Sequence, residues 1–138
     1  MHSAPAERRQ TAARQALLVD DEPCVRAYVS RVLQCGGFEV FEAADGADAL
    51  SRLRELQGAV DILVTDVTMP RMTGTELVGA VRTEFPRIPV LFISGEQLGE
   101  ALHDPGGRIV FLRKPFGAQA MLEAVRGLVK ESVSAHRR

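Results

Sequence analysis

Five positions carry the side chains most capable of joint chemistry: the acidic pair Asp20-Asp21, then Asp66, Ser94 and Lys114. Brought into one pocket, three carboxylates repel strongly. Two unit charges about 4 Å apart interact by roughly 4 kcal/mol at an effective dielectric of 20. Two such repulsions rival the stability of a small domain, so either the carboxyl pKa values rise or a cation resolves the clash. An all-oxygen site with one or two carboxylates and open water positions suits Mg²⁺, or Mn²⁺ in its place. Lys114 supplies a second, compact positive charge, and Ser94 a hydroxyl donor. Cations and donors around one carboxylate suit phosphoryl transfer, in which negative charge spreads over three oxygens. In that chemistry Asp66 is the nucleophile and forms an aspartyl phosphate. The metal takes one phosphoryl oxygen, Lys114 another, and Ser94 with the backbone N–H of Gly95 the third.

The elements that must position these residues follow from the apolar pattern. ALLVD (16–20) is a short apolar run that ends in acid. Pro23 then opens a helix carrying Val25, Tyr28, Val29, Val32 and Leu33 at helical spacing, and Gly36-Gly37 stops it. FEVFEA (38–43) is a partly alternating strand, and Asp45 caps a helix with Ala49, Leu50, Leu53 and Leu56 as its apolar stripe. VDILVTD (60–66) is a third strand, and the Met69-Pro70 loop leads to a helix that Gly74 opens and that ends before Pro86. IPVLFIS (88–94) is almost wholly apolar, as expected of a strand covered on both faces. GEQLGEALH (95–103) predicts a short helix, HDPGG (103–107) a turn, and RIVFLRKP (108–115) the fifth strand. AQAMLEAVRGLVKE (118–131) is a closing amphipathic helix, with Met121, Leu122, Val125, Leu128 and Val129 on one side.

Five alternations of strand and helix predict an α/β fold: a doubly wound, five-stranded parallel sheet flanked by five helices, a three-layer sandwich. Such sheets bind ligands outside the carboxyl ends of their strands. Those ends are where Asp20-Asp21, Asp66, Ser94 and Lys114 fall, on the first, third, fourth and fifth strands. Taken singly, each has a plainer role. The acidic pair can cap a helix, Asp66 can begin an Asx turn, Ser94-Gly95 can start a helix and Lys114 can be a solvated lysine. Their joint placement at strand ends, in order, outweighs those separate readings.

The 138 residues, 46% hydrophobic and 25% charged, fit one soluble domain. A net charge of −1 disfavours direct nucleic-acid binding, and the terminal arginines read as solvated tails. No apolar run suits a membrane span or a secretory leader, so the expected location is the cytoplasm, without membrane contact. Cys24 and Cys35, with no CxxC or Cys/His cluster, read as buried or half-buried free thiols.

With LLVDDE, DILVTDVTMPRMTG, VLFISG and FLRKPF in place, the sequence resembles the receiver domain of two-component response regulators over about residues 15–131. The resemblance implies a flavodoxin-like sheet of order 2-1-3-4-5, as in chemotaxis receivers. It implies that Asp66 is the phosphoacceptor and Asp21 a direct Mg²⁺ ligand. Asp20 then acts through water, and the backbone carbonyl of Thr68 completes the protein's share. Ser94 matches the switch hydroxyl, and Lys114 the phosphoryl-pairing lysine, with a cis bond expected before Pro115. Phe111 matches the switch aromatic; lacking a hydroxyl, it can switch only through packing. Thr68 and Glu96 flank the site and are expected to tune hydrolysis.

The implied partners are a sensor histidine kinase or phosphotransfer protein, which supplies a phosphohistidine, and a downstream protein target. A monomer or weak phosphorylation-dependent dimer is expected, acting as a switch and not as an enzyme. Residues 1–14 and 132–138 read as tails, leaving no room for an output module; a stand-alone receiver is expected, or else one from a hybrid kinase. Other classes fit less well. A Mg²⁺-dependent phosphohydrolase with an aspartyl nucleophile wants a second acid where Thr68 stands. A flavodoxin-like cofactor binder wants a phosphate-cradling loop where Asp20-Asp21-Glu22 would repel one. A degenerate receiver used as a scaffold would not need the complete set of acids, serine and lysine.

Overall fold

In the computed structural model of the protein, residues 14–69, 71–95 and 109–137 are described, with side chains as far as Val129. The chain alternates β1 (Arg14–Val19), α1 (Pro23–Cys35), β2 (Phe38–Ala43), α2 (Gly46–Glu55), β3 (Ile62–Asp66), α3 (Gly74–Glu84), β4 (Val90–Ser94), β5 (Ile109–Arg113) and α4 (Ala118–Arg137). The five strands form one sheet in the order β2-β1-β3-β4-β5, every neighbouring pair parallel.

Side-chain alternation along the strands makes the three layers. Leu17 and Val19 of β1, Leu63 of β3, and Val90 and Phe92 of β4 face one side, where α2 and α3 add Leu53, Leu77 and Val81. Ala16, Leu18, Ile62, Val64, Leu91 and Ile93 face the other, against Val29 and Leu33 of α1 and Met121 and Val125 of α4. Both faces of β3 and β4 are therefore covered, and all five residues of each strand are buried. That is why these segments are continuous apolar runs and not alternating ones.

Local signals set the helix ends. Asp45 caps α2 by accepting the Asp48 N–H, and Thr73 and Glu76 form a reciprocal capping box on α3. Gly37, at φ 96°, takes the left-handed turn after α1 that a side chain would resist.

Four helices stand among the described residues; the fifth, expected over 95–103, and the turn over 103–107 lie outside them. The last helix runs to Arg137, past the expected end at Glu131. Cys24 and Cys35 are exposed, contrary to the expectation of buried or half-buried thiols. Both lie on the outer side of α1, whose buried face is filled by Val29, Val32 and Leu33. Tyr28, placed by its spacing in the apolar stripe, is 46% exposed and leans its ring toward Phe116, 6.3 Å away. No helix among the described residues is long and apolar enough to cross a membrane.

Candidate functional site

The strand order reverses direction at β1 and β3, which opens a crevice at their carboxyl ends. Asp20 leaves β1 there and is completely buried. Its N–H donates to the Ala43 carbonyl (3.2 Å) and its Oδ1 accepts the Glu22 N–H (2.9 Å). Its carbonyl accepts from Arg26 Nη1 (2.6 Å). Oδ2 is also buried, with no hydrogen-bond partner among the described residues. Burial pushes the Asp20 carboxyl up from 3.8 to about 6. The Glu22 N–H opposes that rise and the neighbouring Asp66 charge reinforces it.

Asp66 ends β3 and is 8% exposed. Its Oδ1 accepts the Thr68 N–H (3.0 Å), and its Oδ2 lies 3.4 Å from Lys114 Nζ. The buried Thr65 hydroxyl donates to the Asp66 carbonyl (2.9 Å). Asp20, Asp21 and Asp66 each offer an oxygen within 4.8 Å of the other two. Asp21 is the exposed member, at the open side of the crevice.

The other wall comes from β4 and β5. Ser94 pairs in register with Arg113, and its carbonyl accepts the Lys114 N–H at 2.8 Å. That bond carries Lys114 over the end of β4, where its Cδ would lie 3.9 Å from a Cβ at Gly95. The Lys114-Pro115 peptide is cis. Ser94 is buried, whereas Thr68 is exposed beside Asp66. Phe111 is 38% exposed and stacks on Phe92, ring centroids 5.2 Å apart. Glu96 lies outside the described residues.

The structure thus gathers Asp20, Asp21, Asp66 and Lys114 in one crevice and sets Ser94 and Gly95 on its neighbouring wall. A divalent cation fits the acidic side. The buried Oδ2 of Asp20 has no donor to accept from among the described residues, and Asp20 lies in a group with two further carboxylates. The donor set is all oxygen, which suits a hard cation.

Residues 16–126 match the family pattern of the response regulator receiver domain. The chain belongs to that family. Among solved structures, the receiver domain of the hybrid histidine kinase CckA is 36% identical with a TM-score of 0.71, covering 83% of this chain and 98% of that one. The chemotaxis protein CheY4 of Vibrio cholerae is 35% identical with a TM-score of 0.76, covering 85% and 99%. Among curated proteins, the sensor kinase CckA of Brucella abortus is 38% identical over 117 residues, 83% of this chain and 12% of that protein. The response regulator FleR of Pseudomonas aeruginosa is 36% identical over 117 residues, 82% and 24%. The chain spans at most a quarter of the length of these two relatives. It is a receiver of two-component signalling, built on the sheet order expected of one.

Two residues of the receiver site escaped the sequence reading. Gly74 opens α3 as expected, but it also lies against the backbone that carries Asp66. A Cβ there would collide with the Asp66 carbonyl and come 2.9 Å from Val67 Cα. The Gly74 N–H closes the same loop on the Val67 carbonyl at 2.7 Å. Arg26 is the second; its role depends on a fold that brings α1 over the ends of two strands, and a lone arginine in a helix gives no such signal.

Proposed function

We propose that this receiver accepts a phosphoryl group on Asp66 from a phosphohistidine of a sensor kinase or phosphotransfer protein, with Mg²⁺ bound, in the cytoplasm. One observation carries the reading: the Asp66 carboxylate is held between the Thr68 N–H and the Lys114 ammonium beside two more carboxylates. Asp21, Asp66 and the Thr68 carbonyl would hold the cation, with Asp20 behind them. Bound there, Mg²⁺ supplies charge neutralisation for the acids and for the incoming phosphoryl oxygens.

The protein's own steps follow. The Asp66 carboxylate attacks phosphorus, an O–P bond forms and the N–P bond to the donor histidine breaks. The entropic cost is kept low because the carboxylate is already oriented through both oxygens. Lys114 pairs with one phosphoryl oxygen, and the Ser94 hydroxyl with the Gly95 N–H takes another. The new group adds about −1.5 to −2 of charge. Ser94 is drawn toward it, and Phe111 packs into the space released, which biases β5 and its neighbours toward a target-binding state. Water attack on the acyl phosphate ends the signal, at a rate that Thr68 and Glu96 tune. The protein is a switch that is written and erased, with a protein target downstream.

The test is intact mass after incubation with acetyl phosphate and Mg²⁺. A single phosphoryl adduct that vanishes in Asp66→Asn and in EDTA is the expected result. An adduct that persists in Asp66→Asn places the acceptor elsewhere, and multiple-turnover hydrolysis of simple phosphate esters would favour the phosphohydrolase class.

A further inference from the structure

We infer that Arg26 is a positioning residue for the cation site, acting through the Asp20 backbone and aimed by Glu42; this rests on the Mg²⁺ reading above. Arg26 lies one turn into α1, and its side chain runs back over the end of β1. Nη1 donates to the Asp20 carbonyl at 2.6 Å, and Nε donates to Glu42 Oε1 at 3.2 Å. Glu42 belongs to β2, where its register partner is Leu18 of β1. One guanidinium therefore ties α1 to the ends of two strands. It does so at the peptide that links both acids of the pair.

An ordinary surface pair does not account for this geometry. Glu42 is 44% exposed, and an ion pair at such a site contributes little by itself. The carbonyl contact is different, because it completes the restraint on Asp20. The Asp20 N–H is fixed by Ala43, its Oδ1 by Glu22 and its carbonyl by Arg26. Only Oδ2 is left without a hydrogen-bond partner among the described residues. A planar, permanently charged fork can satisfy a carbonyl and a carboxylate together, which a lysine ammonium on a flexible stem does less well.

The cation's place also matters. Arg26 brings positive charge to the backbone side of Asp20 without standing among the carboxylate oxygens. Glu42 keeps it there. Without that acceptor the guanidinium is free to turn on the nearby carboxylates and compete with a divalent ion. Groups that orient metal ligands from behind typically change metal affinity by about 10–100-fold when removed.

Mg²⁺ titration calorimetry on the full chain, at fixed ionic strength, tests this. Arg26→Met keeps the aliphatic stem and should weaken Mg²⁺ binding about tenfold, with Arg26→Lys recovering part of the loss. Glu42→Met should weaken it about threefold, and the double variant should be no weaker than Arg26→Met alone. At saturating Mg²⁺ the acetyl phosphate reaction of Arg26→Met should return to near the wild-type rate, which general damage to the fold would not allow. Affinity within twofold of wild type in Arg26→Met overturns the inference. So does a Glu42→Met effect that persists undiminished in the Arg26→Met background. Should Arg26→Met fail to fold, Glu42→Met at its exposed position decides alone, and unchanged affinity there overturns it. A wild-type chain that binds no Mg²⁺ overturns instead the reading on which this one rests.

Discussion

The two walls of the crevice are built differently. On the acidic side, β3 is buried along its whole length, and Asp20 is fixed at three of its polar groups. On the other side β4 is buried too, but β5 beside it forms the sheet edge: all five of its residues are at least partly exposed, and Phe111 shows 38% of its surface. The rigid wall holds the chemistry before any ligand arrives. The edge wall supplies Lys114 and sits where a change of packing can reach the surface. The buried strand that carries Asp66 and the exposed strand that leads to Lys114 are thus separate, joined by the Lys114–Asp66 pair.

The sharpest way to break that division is at Asp66. Asp66→Asn should remove all phosphoryl adduct from acetyl phosphate, while thermal unfolding shows the fold intact, because one of three crowded carboxylates has gone. Collapse of the fold would mean that the acid is structural. Next is Leu63, buried in β3. Leu63→Ala should cost about 2–5 kcal/mol in urea unfolding through the cavity it leaves. A cost below about 1 kcal/mol would show that the acidic wall is less rigid than its burial implies.

Asp20 makes the acidic wall sensitive to pH. Its carboxyl value rises from 3.8 to about 6 on folding, chiefly by burial. Between those values the folded protein binds the proton and the unfolded chain releases it. In EDTA, stability from this group is therefore full below pH 3.8 and falls as pH rises through 6, by roughly 1–3 kcal/mol. Asp20→Asn should lose that decline, and added Mg²⁺ should offset it in the wild type by binding the folded state. Parallel pH curves for wild type and Asp20→Asn would show that Asp20 is already relieved by its neighbours.

Most of the fold was legible because the pattern that encodes it is local. The apolar runs of β3 and β4, Pro23 at the start of α1 and Asp45 before α2 each act within a few residues. The acids, Ser94 and Lys114 were legible for another reason: strand ends converge in this class of sheet, so order along the chain becomes position in space. What could not be read was contact across elements. Arg26 reaches Glu42 only because β1 and β2 are parallel and in register under α1. Gly74 matters because α3 starts against the Asp66 carbonyl, a close approach that no spacing rule contains. The exposure of Cys24 and Cys35 depends likewise on how α1 is rotated against the sheet, which periodicity defines only to within a residue or so.

The smallest expected effect falls on the edge wall. Phe111 stacks on the buried Phe92 with an interplanar angle of 15°, yet more than a third of its own surface faces outward. An aromatic pair of this kind contributes about 0.5–1.5 kcal/mol beyond burial. Phe111→Leu keeps apolar contact with Phe92, so urea unfolding should show a loss of no more than about 1 kcal/mol. The acetyl phosphate rate should stay within about twofold of wild type, since a change of about 1.4 kcal/mol in barrier is needed for tenfold and the Asp66 carboxylate is held by Thr68 and Lys114. The difference should appear after phosphorylation. If β5 conveys the signal through packing, the phosphorylated Phe111→Leu protein should show a smaller change in amide exchange across Ile109–Arg113 than wild type. An equal change in both would move the signalling surface off this strand while leaving the acidic wall as described.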